Sequence, residues 1–506
     1  MTFDFVLHAA SLLANPTVLL TIVLGSALGL FVGAVPGLTA TMAIALLVPL
    51  TFFMDPLPAL VSMVTVSAMA IFAGDIPAAL VRIPGTPASA AYTDESYKMT
   101  QAGKGELVLG VDVTSSAIGG VFGALILMAA APALAEFALQ FTSFEYFWLA
   151  ALGLSTTVMI ATSRPAKAGI AVTLGLFLST IGVDITLGFP RFTFGNVDLL
   201  NGINFIPAMI GLFGIAEVLR NVLTGTIRLQ PLRVQSSNIF RGVSATLWRY
   251  RGNMLRSGTL GTFIGILPGA GADIAAWLAY ALSRQRSKEP EKFGSGHIEP
   301  IVDAGTANNS CLAGAWVPAL VFGIPGDSIT AIVIGVLFMK GLRPGPMIFE
   351  QQPQLVFAVY LSFIVANVLM IFFGYAAIRG ATYLLAVPRS ILMPAIVLFC
   401  VVGSYAINNS LFDVGVMLAM GVLGYILEVN GVPVAPVILG LVLGPILEKN
   451  FMFSMIKADW DLTLFFSRPV AGILGAATIF VWLTPLYPRL LGYLRRTRPP
   501  AVASQE

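Results

Sequence analysis

The segment GSALGLFVGAVPGLTATMAIALLVPL, residues 25–50, is apolar and rich in small residues, yet Pro36-Gly37 breaks it near its centre. The segment GTLGTFIGILPGAGADIAAWLAY, residues 258–280, has the same character and breaks at Pro268-Gly269. A second matched pair follows each copy: DIPAALVRIPGTPASAA (75–91), broken at Pro84-Gly85, and WVPALVFGIPGDSITAI (316–332), broken at Pro325-Gly326. Pro36 and Pro268 are 232 residues apart, and Pro84 and Pro325 are 241 apart. Two breaks recurring in one order at nearly one offset indicate an internal duplication.

Composition sets the class. Apolar residues make up 57% of the chain and charged residues 10%, with a mean hydropathy of +0.88. A soluble domain carries about 25% charged residues, and apolar runs near the ~20 residues that span a bilayer recur along the whole length. The expected fold is an all-α polytopic membrane protein of about 10–13 transmembrane or re-entrant helices in two related halves. No Lys or Arg precedes Arg82, so the N-terminus lacks the basic region of a cleavable signal peptide. Cys311 and Cys400 are too far apart in sequence for a disulfide framework, and His8 and His297 for a metal centre. No Walker sequence encodes an ATP-driven step. The Gly-Ala-Gly at 269–271 lacks the strand context of a dinucleotide fingerprint. No Ser/His/Asp or zinc arrangement suggests an enzyme, no cofactor is implied, and the basic residues are too few to argue for nucleic acid.

Taken in order, residues 1–15 read as an interfacial helix stopping at Pro16. An N-terminal transmembrane repeat covers 1–227, with broken elements at 17–52 and 74–92 and apolar runs at 57–73, 107–134, 144–162, 166–188 and 203–223. Residues 228–256 carry Arg228, Arg233, Arg241, Arg249, Arg251 and Arg256 with no acid, beside Ile239, Phe240, Val243, Leu247, Trp248 and Leu255. This predicts a cytoplasmic linker bearing an amphipathic surface helix. A C-terminal transmembrane repeat covers 257–490, and the basic tail 491–506 is expected in the cytoplasm.

Flanking charge bears on topology. The 257–283 element has Arg251 and Arg256 before it and Arg284, Arg286 and Lys288 after it, whereas 17–52 is flanked by Asp4, Asn15 and Asp55 with no basic residue. A helix crossing once should not be basic at both ends. A hairpin entering from the cytoplasm and turning at Leu267-Pro268-Gly269 meets this, and opposite flanks on duplicated elements mark an inverted-topology repeat. Two simple Pro-kinked spanning helices are the alternative.

Proline removes a backbone donor and clashes with the preceding turn. Within a membrane such opened backbone is tolerated only against protein or a water-filled cavity. Helix N-termini directed there present unpaired N–H groups and a positive partial charge, a ready anion site. Beside the breaks lie Thr39 and Thr41, Thr86 and Ser89, Gly269 to Gly271, and Ser328 with Thr330, while Asn308 and Asn309 precede the fourth break. Together with Pro36, Gly37, Pro84, Gly85, Pro268, Pro325 and Gly326, this set suits a carboxylate ligand; singly, each Ser or Thr serves helix packing equally well. Gly25, Gly29 and Gly33 form a small-residue packing face. Asp75 and Arg82, seven apart, can face each other along one helix. Asp273 and Asp327 can hold a coupling Na⁺ or exchange a proton, or act as helix caps. Glu217, Asp413 and Glu428 read as interfacial.

The stretches GAVPGLTATMAIALLVPLTF (33–52), RIPGTPASAAYTDESYKM (82–99), GILPGAGADIAAWLAY (265–280), Asn308-Asn309 and GIPGDSITAIVIGVLFMKGLRPGP (323–346) resemble, in order, the large membrane subunit of the tripartite tricarboxylate transporters (TctA-like). The resemblance implies a multi-pass permease of the bacterial inner membrane. It would work with a small four-helix membrane subunit and a periplasmic solute-binding protein, as a secondary importer of carboxylates driven by an ion gradient. Two departures stand out. Asp94-Glu95-Ser96-Tyr97-Lys98-Met99 replaces a usual D-G-Y-P-M, and Arg82 replaces an Asn before I-P-G. Since Arg can clamp a carboxylate bidentately, Arg82 joins the candidate substrate-binding residues. The competing reading is an ion or solute channel that uses the Pro-Gly loops as a filter.

Overall fold

The structure, a computed structural model, describes residues 2–160, 165–186, 188–224, 232, 238–269, 271–385 and 389–484. The tail 491–506 and all of the linker stretch 228–237 except Leu232 lie outside the described residues. The chain is an all-α polytopic membrane protein. Among the described residues, eight helical stretches are long and apolar enough to cross a bilayer, and four shorter apolar helices accompany them. The one sheet described is a two-stranded ribbon, Gly182–Val183 against Pro190–Arg191.

The broken elements form the centre. In the first half α1 (Pro16–Ala34) and α2 (Ala40–Phe52) flank the first break, α3 (Pro56–Ala73) follows, and α4 (Asp75–Val81) leads into the second. The long α5 (Gly105–Ala138) comes next. In the second half α6 (Arg251–Ile266) and α7 (Gly271–Arg286) flank the third break. Then α8 (Glu299–Val317) passes through a π-helical turn, Pro318–Phe322, into the fourth break, followed by α9 (Ser328–Met339) and α10 (Pro353–Arg379). The entry to α1 is built locally. Asn15 accepts from the Thr17 amide at 3.0 Å, and Pro16 sits where a missing N–H costs nothing.

Glycine packing fixes the directions of these helices. A Cβ on Gly25 would meet the Ser62 carbonyl at 3.4 Å, one on Gly29 the Val66 carbonyl at 2.6 Å, and one on Gly33 the Ala70 Cα at 2.8 Å. Contacts rising in step along both helices mean that α1 and α3 run parallel, backbone against backbone. The intervening α2 therefore runs back, and α1–α2 is a hairpin. Its thirteen residues rise roughly 20 Å, short of the ~30 Å of hydrocarbon. The second half repeats the arrangement at matching positions. Gly261 backs onto Ala307, and Gly265 onto Cys311 and Gly314, so α6 and α8 are also parallel and α6–α7 is also a hairpin. Here both arms are longer than the apolar pattern suggests, at 16 residues each, because the helices continue into their basic flanks.

The turns match as well. Gly37 and Gly269 have φ of 97° and 82°, while Arg82 and Gly323, each two residues before its Pro-Gly pair, have φ of 58° and 67°. The next amide bonds back over each turn: Ile83 N to Pro77 O at 3.4 Å, and Ile324 N to Pro318 O at 3.1 Å. Across the centre, Gly120 of α5 abuts Asn367 of α10, and Gly374 of α10 abuts Val113 of α5, so these two helices cross antiparallel.

The linker was expected to carry an amphipathic helix on the membrane surface. A short helix, Val243–Arg249, forms, but Val243 and Leu247 are buried against Val111 of α5 and Val302 of α8, leaving Trp248 and Leu255 exposed. Its apolar side finds protein because α5 and α8 end there with a matching patch. The N-terminal helix Thr2–Leu13 likewise packs on the protein, where Phe5 stacks on Phe357 of α10.

Replacing Gly33 by Leu forces a side chain into the α3 backbone. We expect a loss of about 1–3 kcal/mol or more, the range for overpacking, seen as a lower thermal midpoint in detergent. Gly415→Ala, whose Cβ meets nothing within 4 Å, is expected to leave the midpoint unchanged or slightly raised, since Ala gains up to ~1 kcal/mol over Gly in a helix.

Candidate functional site

All four breaks meet around one cavity of about 190 Å³. Its wall is formed by 39–42 and 86–88 from the first half and by 271–273 and 327–329 from the second, with Ile71, Asn308, Phe213, Glu217, Arg220, Glu428 and Ala435 completing it. The halves touch crosswise. Thr41, after the first break, shares a 3.0 Å hydroxyl hydrogen bond with Ser328, after the fourth. Asp273, after the third, accepts from the Ala88 amide, after the second, at 3.0 Å. Within the second half the Gly269 amide donates to the Gly326 carbonyl at 2.8 Å, and Gly271 faces the Asp327 side chain.

Polar side chains hold the opened backbone. Asp327 caps α9 in a reciprocal box: it accepts from the Thr330 amide at 2.8 Å, and Thr330 Oγ1 accepts from the Asp327 amide at 2.9 Å. At the equivalent positions of the first half Thr86 and Ser89 do the same. The Thr86 amide donates to Ser89 Oγ at 3.0 Å, and the Ser89 amide donates to Thr86 Oγ1 at 3.2 Å. Thr39 caps α2 through the Met42 amide at 3.2 Å. One reciprocal pair of bonds thus stands in both halves, built from neutral hydroxyls in the first, where it closes the turn ahead of the short helix Ser89–Ala91, and from a carboxylate in the second, where it caps α9.

Of the residues proposed from sequence, Thr39, Thr41, Thr86, Gly271, Asp273, Asn308, Asp327 and Ser328 line the cavity. The remaining break residues, Pro36, Gly37, Pro84, Gly85, Pro268, Gly269, Pro325 and Gly326, together with Ser89 and Thr330, lie just behind and shape the turns. Gly85 abuts Gly74, and Gly326 abuts Ala315. Asn309 is buried on the same helix but is not part of the wall, and among the described residues its amide group has no hydrogen-bond partner. Arg82 lies outside the cavity. Its exposed guanidinium pairs with Asp94, Nη2 to Oδ1 at 2.8 Å, instead of facing Asp75. The left-handed turn at Arg82 ends α4 and sends the side chain outward.

Charge at the cavity was only partly legible. Glu217 and Glu428, read as interfacial, line it together with Arg220 and Phe213. Arg220 pairs with Glu217 and lies 3.7 Å from Glu428, joining the π-bulged helix of 205–224 to Leu411–Val429. The signal available was an Arg three residues from a Glu inside an apolar run, since charge there is costly and usually functional. The helix N-termini of α2, α7 and α9 face the cavity, that of α2 capped by Thr39 and that of α9 already holding the Asp327 carboxylate. Asp273, Asp327, Glu217 and Glu428 add negative charge that Arg220 alone does not balance.

Comparison with known proteins agrees with this architecture. The family model described as "Tripartite tricarboxylate transporter TctA family" matches residues 19–439. An uncharacterized 52.8 kDa protein of the TAR-I ttuC' 3' region of Agrobacterium vitis is 35% identical over 470 residues, covering 91% of this chain and 92% of its own length. A second uncharacterized Agrobacterium vitis protein, of the TAR-II ttuC' 3' region, is 36% identical over 227 residues, covering 45% of this chain and 94% of its own length. No solved structure matches.

The matched caps separate two roles of Asp327. Asp327→Ala loses the cap, with an expected cost of about 0.5–2 kcal/mol, read from thermal unfolding in detergent. Asp327→Thr copies the first-half residue and is expected to keep most of that stability while removing the charge. Equal destabilisation by both variants would contradict the assignment.

Proposed function

Since the chain belongs to the TctA family of tripartite tricarboxylate transporters, we propose that it is the subunit that carries a small carboxylate across the bacterial inner membrane. The observation that carries this reading is the crosswise meeting of four Pro-Gly breaks, two from each half, around one cavity that carries polar and charged side chains. Substrate carboxylate oxygens would bind at the N-terminus of α7 and to the hydroxyls of Thr39, Thr41, Thr86 and Ser328. The amide of Asn308 and the guanidinium of Arg220 add donors.

The unbalanced acids at the cavity support a symport mechanism. An anion entering a site that already holds Asp273 and Asp327 needs accompanying positive charge, and a Na⁺ or proton at those carboxylates would supply it. An imposed ion gradient would then drive accumulation. A filter that equilibrates solute has less need for a site in which the two halves close on each other through single hydrogen bonds.

The two halves would act as inverted repeats, supported by the matched hairpins and by the antiparallel crossing of α5 and α10. Rocking of one hairpin pair against the other would break Thr41–Ser328 and Asp273–Ala88 on one side and open the cavity. Substrate would arrive from a periplasmic binding protein, with a small four-helix membrane subunit completing the assembly, and the C-terminus would face the cytoplasm.

The test is uptake of labelled di- and tricarboxylates into proteoliposomes holding this chain and its small partner, with loaded binding protein outside and an imposed Na⁺ or H⁺ gradient. Gradient-dependent accumulation is expected. Asp273→Asn should reduce it about tenfold or more, the equivalent of losing about 1.4 kcal/mol. Rapid equilibration without accumulation would establish the channel instead.

A further inference from the structure

A second polar cluster lies behind the cavity and shares only Asn308 with its wall. Asp75 opens α4, Asp112 lies in α5, Tyr92 precedes the helix Thr93–Met99, and Asn308 is in α8. All four are buried, with Asp75 and Asp112 only 2% exposed. Asp75 adjoins both Asp112 and Tyr92, and Tyr92 adjoins Asn308. These neighbours lie within hydrogen-bonding reach of one another, but among the described residues none of the contacts has full hydrogen-bond geometry, so both oxygens of each carboxylate, the Tyr92 hydroxyl and both amide atoms of Asn308 lack a well-formed partner. The Ser115 and Ser116 hydroxyls also approach Asp112, on the side where α8 has only Gly305. A Cβ there would come within 3.0 Å of Asp112 Oδ1 and within 3.2 Å of both hydroxyls.

Buried polar groups are nearly always satisfied, and an unmade bond costs about 1–3 kcal/mol, more for a charged group. Here the unsatisfied atoms come from four separate elements and are mostly oxygens. Two adjacent carboxylates in an apolar interior cannot both stay ionised unless a cation lies with them. Among the described residues neither Asp75 nor Asp112 forms an ion pair with a basic side chain. Carboxylate, amide and phenol oxygens converging in this way form a donor set for a hard cation, as in transporter cores where discontinuous helices hold Na⁺.

We propose that Asp75 and Asp112, with Tyr92 and Asn308, form a buried Na⁺ site adjoining the carboxylate cavity. The site is connected to that cavity. Asn308 belongs to both, and Ile71, one turn before Asp75 across the α3–α4 junction, lines the cavity wall. Ion occupancy behind Asn308 would orient its amide toward substrate. The site occurs once per chain, because Trp316 and Pro353 stand 241 residues after Asp75 and Asp112. A role in coupling rests on the carrier reading above; the ion site itself does not.

The experiment measures radiolabelled Na⁺ binding and Na⁺-dependent thermal stabilisation of the purified full chain in detergent. K⁺ serves as the reference, and no carboxylate or partner is present. Saturable Na⁺ binding with a raised thermal midpoint is expected. Asp75→Asn and Asp112→Asn should each weaken binding by about 10–100-fold, the loss seen when even supporting ligands of metal sites are removed. Gly305→Ala, which pushes a methyl group toward Asp112, should weaken it as well, and surface Glu289→Gln should not. Folding of each variant is checked by its midpoint in K⁺ alone, and Asp75→Glu and Asp112→Glu replace any that fail. Wild-type chain without saturable Na⁺ binding, or folded Asp75 and Asp112 variants binding like wild type, would overturn the site. Failure of uptake alongside intact Na⁺ binding would count against the carrier reading and leave the site standing.

Discussion

Backbone opened inside a membrane has to find partners within the protein, and this requirement organises the whole chain. Each Pro-Gly pair releases amides and carbonyls where lipid offers nothing in return. The chain answers with helix caps at Thr39 and Asp327, with the reciprocal Thr86–Ser89 turn, and with a backbone bond from Gly269 to the neighbouring break at Gly326. Only after these local demands are met are two amide-lined turns from each half free to face each other. The cavity is the space that remains once the breaks have been mutually satisfied. Its polarity is a consequence of that satisfaction, not an addition to it.

How much of this could be read from the sequence depended on whether the signal was local. Pro-Gly pairs at repeated offsets were visible without any structure, and so were the small residues beside them. They located the hairpins and eight of the residues in the cavity wall. The family was legible from the same stretches, because those motifs are long and occur in order. Arg82 misled because its chemistry suited a carboxylate, while its direction was set by a left-handed turn that no composition reveals. The length of the α6–α7 arms was also hidden, since helices ending in Arg continue past the apolar run that marked them.

Other features were illegible because they depend on who packs against whom. Val243 and Leu247 looked like a membrane-surface stripe until Val111 and Val302 supplied a protein partner. Glu217, Arg220 and Glu428 are far from the breaks in sequence and reach the cavity only through the packing of two later helices. Asp112 lies within a run that reads as an ordinary spanning helix, and only its placement beside Asp75 gives it significance. For the buried acids and Arg220, charge inside apolar sequence was the usable hint, but the hint names no partner.

The glycine seam between α1 and α3, repeated between α6 and α8, limits how such a molecule can move. Bare backbone lies against backbone there, so sliding one helix along the other by even a single residue would drive a side chain into a carbonyl. Each seam therefore acts as a toothed rack held in one notch, and the two stems cannot telescope. Flexing is left to the turns at Gly37 and Gly269, where a positive φ gives the chain its pivots. Any opening of the cavity would then be a tilt of whole hairpins about those points, with stroke length set by the geometry of the seam and not by the size of the cargo.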